Sequence, residues 1–193
     1  ESVPFRAYLE WARNDHAANV RDFLANPEHS RAYVTGFQYG QQINGDNDIF
    51  LSGEFTVINP SPTNPVRPTG PWYRHGSSGG QGYTHQGQYL GAWIGTGANS
   101  QYAEVSWLNR RLDLALAIYA ERVVFDNDFF YSLDLDDPFS FNYRLYEGVR
   151  IRYGLDDLVL RGELQFGYQN NAYWLRGDRR PNLRVAFSVS YPN

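Results

Sequence analysis

Across residues 111–122 apolar and polar side chains alternate, with Leu112, Leu114, Leu116 and Ile118 set against Asp113, Ala115, Ala117, Tyr119 and Glu121. Successive side chains of an extended chain point to opposite sides, so a period of two predicts a β-strand with one apolar and one polar face. The pattern returns three times. Leu145, Val149, Ile151 and Tyr153 oppose Arg144, Tyr146, Arg150 and Arg152; Leu158, Leu160, Leu164, Phe166 and Tyr168 oppose Arg161, Glu163 and Gln165; Leu183, Val185, Phe187, Val189 and Tyr191 oppose Arg184, Ser188 and Ser190. Glu147 interrupts the apolar row, and Gly148 beside it marks a candidate bulge, where an extra residue would reset the register. Less regular versions over residues 3–13, 31–39, 47–58 and 101–107 bring the total to eight strands.

One segment has the other period. Within residues 14–29, Val20, Phe23 and Leu24 fall at helical spacing, Asn19 is a candidate cap and Pro27 a stop, which predicts a short helix in that loop or folded into the mouth of a barrel.

The connections separate two architectures that alternation alone leaves open. They run long (14–30), short (40–46), very long (59–100), tight (at Asn109 and Arg110), long and acidic (125–140), tight (154–156) and medium (169–181), so the long ones share one end of the strands. A soluble sandwich has no reason for this order. Outer-membrane barrels have one: short periplasmic turns and longer extracellular loops. The expected fold is therefore an all-β, antiparallel, up-and-down transmembrane β-barrel forming a single domain over residues 1–193, with a helical loop at 14–30, a long extracellular loop at 59–100 and both chain ends on the periplasmic side.

Composition is compatible with this. No apolar run approaches the roughly 18–20 residues of a membrane-spanning helix, but a barrel exposes apolar side chains at only every second position, so a mean hydropathy of −0.55 does not exclude a membrane. Aromatic residues make up 17% of the chain, and Trp107, Tyr153, Tyr168 and Tyr191 fall at strand ends, where a bilayer interface would hold amphipathic rings. The chain has neither cysteine nor methionine, which removes disulfides and thiol chemistry and implies a processed or partial product. A net charge of −4 argues against nucleic acid as a partner. All 17 basic residues are arginine, which reflects either genome composition or a use for a planar fork that grips carboxylates in pairs.

The chemistry concentrates in the 59–100 loop. Tyr73, Arg74 and His75 precede a Ser/Gly spacer, followed by Tyr83, His85, Gln88 and Trp93. Flat aromatic faces suit the apolar side of a sugar ring, while His, Arg and Gln offer hydrogen bonds to hydroxyls and carboxylates, so these residues are candidates for a glycan surface. On the polar strand faces, Arg150, Arg152 and Arg161 either pair with acids such as Glu163 or contact an anionic polysaccharide. Asp134, Asp136 and Asp137 read as a solvated acidic loop rather than paired catalytic carboxylates. His75 and His85 lack a third ligand at motif spacing, and no nucleophile elbow, phosphate loop or zincin motif occurs. No catalytic site, metal or cofactor is expected.

Three motifs carry a resemblance: Tyr8-Leu-Glu-Trp-Ala-Arg-Asn-Asp-His16, Ser30-Arg-Ala-Tyr-Val-Thr-Gly36, and His75 followed by Gly82-Tyr-Thr-His-Gln-Gly-Gln-Tyr-Leu-Gly91. In order and approximate spacing the chain resembles the Wzi capsule assembly family of outer-membrane β-barrels. That resemblance implies a many-stranded barrel of which this chain is the carboxy-terminal portion, and a non-enzymatic, lectin-like role in retaining capsular or extracellular polysaccharide, acidic polysaccharide included, at the bacterial cell surface. Outer-membrane lipid would be the other partner. Two further readings stay open: a soluble β-sandwich serving as a carbohydrate-binding module or glycan-active enzyme, and a small, complete eight-stranded structural barrel.

Overall fold

The computed structural model describes residues 4–14, 19–59, 72–73, 84–86, 88–125 and 141–191. Eight long strands form one antiparallel sheet: β1 (Phe5–Arg13), β2 (Arg31–Asn44), β3 (Asn47–Val57), β6 (Asn99–Asn109), β7 (Leu114–Val124), β8 (Tyr143–Leu155), β9 (Leu158–Asn170) and β10 (Arg179–Ser190). A two-residue hairpin, β4 (Thr84–His85) with β5 (Gln88–Tyr89), interrupts the long loop. Each long strand pairs with the next along the chain, an up-and-down order. β1 and β10 do not pair with each other, so the sheet is open among the described residues. Pro181 lies in β10, an edge strand, where a residue without an N–H is tolerated.

Of the expected apolar residues of the four clearest strands, the register puts all but Leu112 and Tyr191, which lie outside the strands, on one face. The row Trp107, Leu116, Ile151 and the row Val105, Ile118, Val149, Leu164, Val185 run across successive strands, while Glu104, Tyr119, Gly148, Gln165 and Arg184 make the matching row behind them. Away from α1 and the long-loop ends of the strands, the apolar face has no second layer among the described residues: Ile118 is 67% exposed and Val185 and Phe187 each 72%. Tyr119, Tyr146, Asp48, Thr56 and Ser100, all on the polar face, are buried. The sheet therefore curls around its polar side, leaving the apolar side convex and bare.

Strand boundaries differ from expectation in instructive ways. β7 starts at Leu114, because Asn109 Oδ1 accepts the Leu112 N–H at 2.9 Å and closes an Asx-type turn with Asp113 at φ 44°. β2 continues past Tyr39 to Asn44, which shortens the β2–β3 turn to Gly45 and Asp46, and its register shifts between Gln42 and Asn44. No bulge lies at Gly148: β8 and β9 pair without a shift from Tyr143↔Asn170 to Leu155↔Leu158.

Gly148 has a different task. Tyr119, directly opposite on β7, lays its ring where a side chain would be, and a Cβ there would lie 2.4 Å from Tyr119 Cζ. Gly36 holds Tyr8 in the same way, Gly40 holds Phe50, Gly53 holds Phe37 and Gly167 holds Tyr146, each pair directly opposite in register. A glycine across from an aromatic thus lets the ring lie flat along the sheet, on the polar face in four of these pairs and on the apolar face for Gly53 and Phe37.

The helix, α1 (Val20–Ala25), forms where expected, with Asn19 Oδ1 accepting the Asp22 N–H at 2.9 Å. It packs from the apolar side: Phe23 meets Trp11 edge-on at 6.1 Å between ring centroids, and the Arg13 guanidinium sits 5.3 Å from the Phe23 ring centre.

Candidate functional site

Polar side chains of β6 to β10 form a continuous network across strands that are not neighbours. Arg150 on β8 reaches Glu104 and Tyr102 on β6, and its guanidinium lies 4.6 Å from the centre of the Tyr119 ring on the intervening β7. Tyr102 donates to Glu104 at 2.5 Å. Tyr119 donates its phenol proton to Glu163 on β9 at 2.7 Å and accepts from Gln165 Nε2 at 3.0 Å, and Arg184 on β10 stands 3.7 Å from Glu163. Arg152 grips Asp113 with both terminal nitrogens, at 2.5 and 3.4 Å. Arg161 donates to the Ser190 hydroxyl at 2.7 Å and meets no carboxylate among the described residues. Nearer β1, Tyr8 donates to Glu54 at 2.6 Å.

Of the three arginines singled out in the sequence, Arg150 and Arg152 are therefore neutralised by acids, and Arg161 is the one held only by a neutral oxygen. They border a recess of about 470 Å³ on the polar face, completed by Glu104, Ser106, Glu163 and Ser188. Tyr102 and Glu104 are the network members that sequence reading missed: they lie on β6, whose alternation is weak, and they touch Arg150 by skipping a strand. In the adjoining turn, the Asp48 carboxylate accepts from Arg110 Nε and Nη2 at 2.7 and 2.6 Å, and this hydrogen bonding raises the guanidinium above its ordinary pKa.

The loop candidates gather elsewhere. At the long-loop end, Ile58, Ile94, Ala98 and Val123 cluster with Ala32 and Tyr146, and Trp72 and Tyr73 pack against them. The 72–73 and 92–98 segments of the long loop thus fold back over the polar face. Tyr73, with φ 63°, lays its ring on Gly91 and accepts the Ala92 N–H at 3.0 Å, so the 72–73 and 91–92 segments are clamped together. Trp93 follows, 63% exposed, while its neighbour Ile94 is 5% exposed and anchors the segment. His85 and Gln88 are register partners in the small hairpin, both exposed. Arg74, His75, Tyr83, Asp134, Asp136 and Asp137 lie outside the described residues.

The candidates thus form two groups. Tyr73, His85, Gln88 and Trp93 belong to the long loop, whereas Arg150 and Arg152 lie four to six residues below Tyr146 on β8, roughly 13–20 Å at about 3.3 Å per residue. One compact ligand does not touch both; an extended chain would.

Fold and site together define an all-β, up-and-down antiparallel sheet with a bare apolar face and an ion-paired polar face partly roofed by its longest loop. Comparison of the chain with protein-family models, curated proteins and solved structures gives no match.

Proposed function

We propose that this chain is the wall of an outer-membrane β-barrel that holds extracellular or capsular polysaccharide at the bacterial cell surface without chemical turnover. The observation that carries the membrane half is the apolar face, exposed along eight strands of 9–14 residues. A tilted membrane strand needs about 9–11 residues, and soluble monomers seldom expose apolar patches beyond roughly 300–600 Å². On β8, Tyr143 and Tyr153 bracket Leu145, Val149 and Ile151 on that face, the layout of an apolar band between two aromatic girdles.

For the glycan half, support comes from Trp93, an exposed indole on an anchored segment of the same loop that carries the exposed His85 and Gln88. A preformed aromatic platform binds a sugar face without the entropy of ordering a loop. An acidic polysaccharide suits the recess below, where Arg161 lacks a carboxylate. The motif resemblance to the Wzi capsule assembly family points to the same role. The test has two arms. Extraction should need detergent, and a protein that stays monodisperse in plain buffer refutes the membrane half. Indole fluorescence titrated with acidic and neutral capsular polysaccharides should respond to the acidic ones, and no response from wild type, or one unchanged in Trp93→Ala, refutes the glycan half.

A further inference from the structure

Charged residues on the apolar face of the strands are few and unevenly placed. Its arginines, Arg13, Arg31, Arg122 and Arg179, all fall at the long-loop ends of β1, β2, β7 and β10. At the short-turn end that face carries Phe5, Trp107, Tyr153 and Val189 instead. Two of the four arginines are packed into the protein. Arg31 pairs with Glu28 at 2.8 Å and donates to the Asn59 carbonyl at 2.7 Å, and Arg13 stacks on Phe23 with its Nε and Nη1 buried and without a hydrogen-bond partner among the described residues.

Arg122 and Arg179 are not. Both are exposed, and neither has a carboxylate among the described residues. Arg122 turns from Glu147, the acid one step deeper on β8, and donates to Gln101 Oε1 at 2.8 Å on the opposite side. Between the two arginines lies an outward-facing recess of about 410 Å³, lined by Arg122, Tyr143, Asn170, Asn171 and Asn99. Asn170 is the register partner of both Tyr143 and Arg179, so Arg122 on β7 and Arg179 on β10 flank the recess about three strand spacings apart, roughly 14 Å. The side chains of Tyr143 and Asn170 have no hydrogen-bond partner among the described residues, which leaves a phenol and an amide in the recess along with the Arg122 guanidinium, while Arg179 stands beside it as the register partner of Asn170.

We infer that this recess binds the phosphate groups of a phosphorylated glycolipid headgroup at the rim of the outer leaflet. The inference rests on the membrane reading above, which sets the recess where the apolar band ends. A guanidinium at such a boundary loses part of its hydration and needs an anion. Its planar fork accepts two phosphate oxygens at once. The amide of Asn170 and the Tyr143 hydroxyl offer the neutral donors that a sugar–phosphate head would use, while Asn171 is held in place by Phe141 and Gly177. Two cations some 14 Å apart fit a headgroup bearing more than one phosphate better than a lipid bearing one.

The experiment uses the full chain in detergent micelles, with native mass spectrometry to read bound lipid. Three probes are offered in turn: bisphosphorylated lipid A, the same glycolipid with its phosphates removed, and phosphatidylglycerol. Wild type should retain bisphosphorylated lipid A at least about tenfold better than either comparison, a difference of about 1.4 kcal/mol. Arg122→Gln and Arg179→Gln should each erase most of that preference, while Arg111→Gln, in the exposed turn at the opposite end of the strands, should leave it unchanged. The Arg179 side chain has no hydrogen-bond partner among the described residues, so its variant reports on binding even if Arg122→Gln perturbs the fold. Equal retention of the dephosphorylated glycolipid, equal retention of phosphatidylglycerol, or loss of preference in Arg111→Gln overturns the inference. A chain that needs no detergent removes the membrane reading and this site together, whereas a detergent-bound chain indifferent to phosphate removes this site alone.

Discussion

Replacing Gly148 by alanine adds a single methyl group, and the usual expectation for glycine in a strand is a gain, since glycine costs roughly 0.5–1 kcal/mol relative to alanine. Here the sign should reverse. The new Cβ would sit 2.4 Å from Tyr119 Cζ, 2.5 Å from its hydroxyl and 2.6 Å from Cε1, whereas carbon atoms rest at about 3.5–4.0 Å. The ring has to move by more than 1 Å, and a shift of that size takes the 2.7 Å hydrogen bond to Glu163 out of range and the Arg150 guanidinium off the ring face. A hydrogen bond to a charged group contributes about 1.5–3 kcal/mol and overpacking costs about 1–3 kcal/mol. After the backbone gain, Gly148→Ala should destabilise by about 2–5 kcal/mol. Urea unfolding in detergent micelles, followed by indole fluorescence, measures it. Gly45→Ala is the control, because nothing lies within 4 Å of a Cβ there, and it should be neutral or stabilising. In a Tyr119→Ala background the added methyl meets no ring, so its penalty should vanish. A Gly148→Ala protein as stable as the Gly45→Ala control, or a penalty that survives removal of Tyr119, refutes the reasoning.

Other perturbations separate the remaining claims. Arg110→Ala should lower the denaturation midpoint more than Arg152→Ala, because Asp48 is a buried carboxylate whose bidentate partner is lost, while the Arg152–Asp113 pair is largely in solvent; the reverse order in urea unfolding would contradict it. Ile118→Arg should cost about 2–4 kcal/mol and impair insertion into vesicles if the apolar face meets lipid, and wild-type insertion by this variant counts against a membrane. Asn19→Ala removes the cap of α1, worth about 1 kcal/mol, and should speed amide exchange at Asp22 without moving the global midpoint; unchanged exchange would mean that the cap is idle. Trp93→Ala should weaken polysaccharide binding about tenfold, or 1.4 kcal/mol, with no change in unfolding.

How much of this could be read from the chain depends on whether a signal is local. On β7 to β10 the alternation is long, so the face of nearly every residue follows from one correct assignment, and Asn19 announces α1 because capping involves only residues 19–22. Gly148 shows the limit. By itself it suggests a bulge; that it lies opposite Tyr119 depends on where the Asn109–Asp113 turn and the 125–142 connection set the register. Arg150 was identifiable as a polar-face residue, but its acid, Glu104, is 46 residues away and two strands over, a relation that no spacing rule expresses. The surroundings of Tyr73 and Trp93 differ for a similar reason. Aromatics of one glycine-rich loop look equivalent in sequence, yet Gly91 takes one ring inward as a clamp and the buried Ile94 leaves the other displayed.

That clamp ties the loop to the wall. Tyr146 belongs both to the cluster beneath the long loop and to the polar face of β8, and it lays its ring over Gly167 on β9. Its neighbour Arg144 bonds the Tyr146 hydroxyl and Gln169, and Gln169 in turn donates to the buried Asn142 at 2.7 Å. The Arg144 guanidinium also packs 5.1 Å from the centre of the Phe125 ring, at the other end of the 125–142 connection. A connection from residue 58 to 98 that floated free would have to lose much conformational freedom on meeting a ligand, at about 1–2 kcal/mol per residue fixed. Anchoring Ile94 and Ala98 on Val123 and Tyr146 meets that cost during folding, so the stretch that displays Trp93 is in place before any ligand arrives. The consequence is a dependence in one direction: damage to the wall at Tyr146 or Val123 should weaken a ligand held by Trp93, whereas loss of Trp93 leaves the wall as it was.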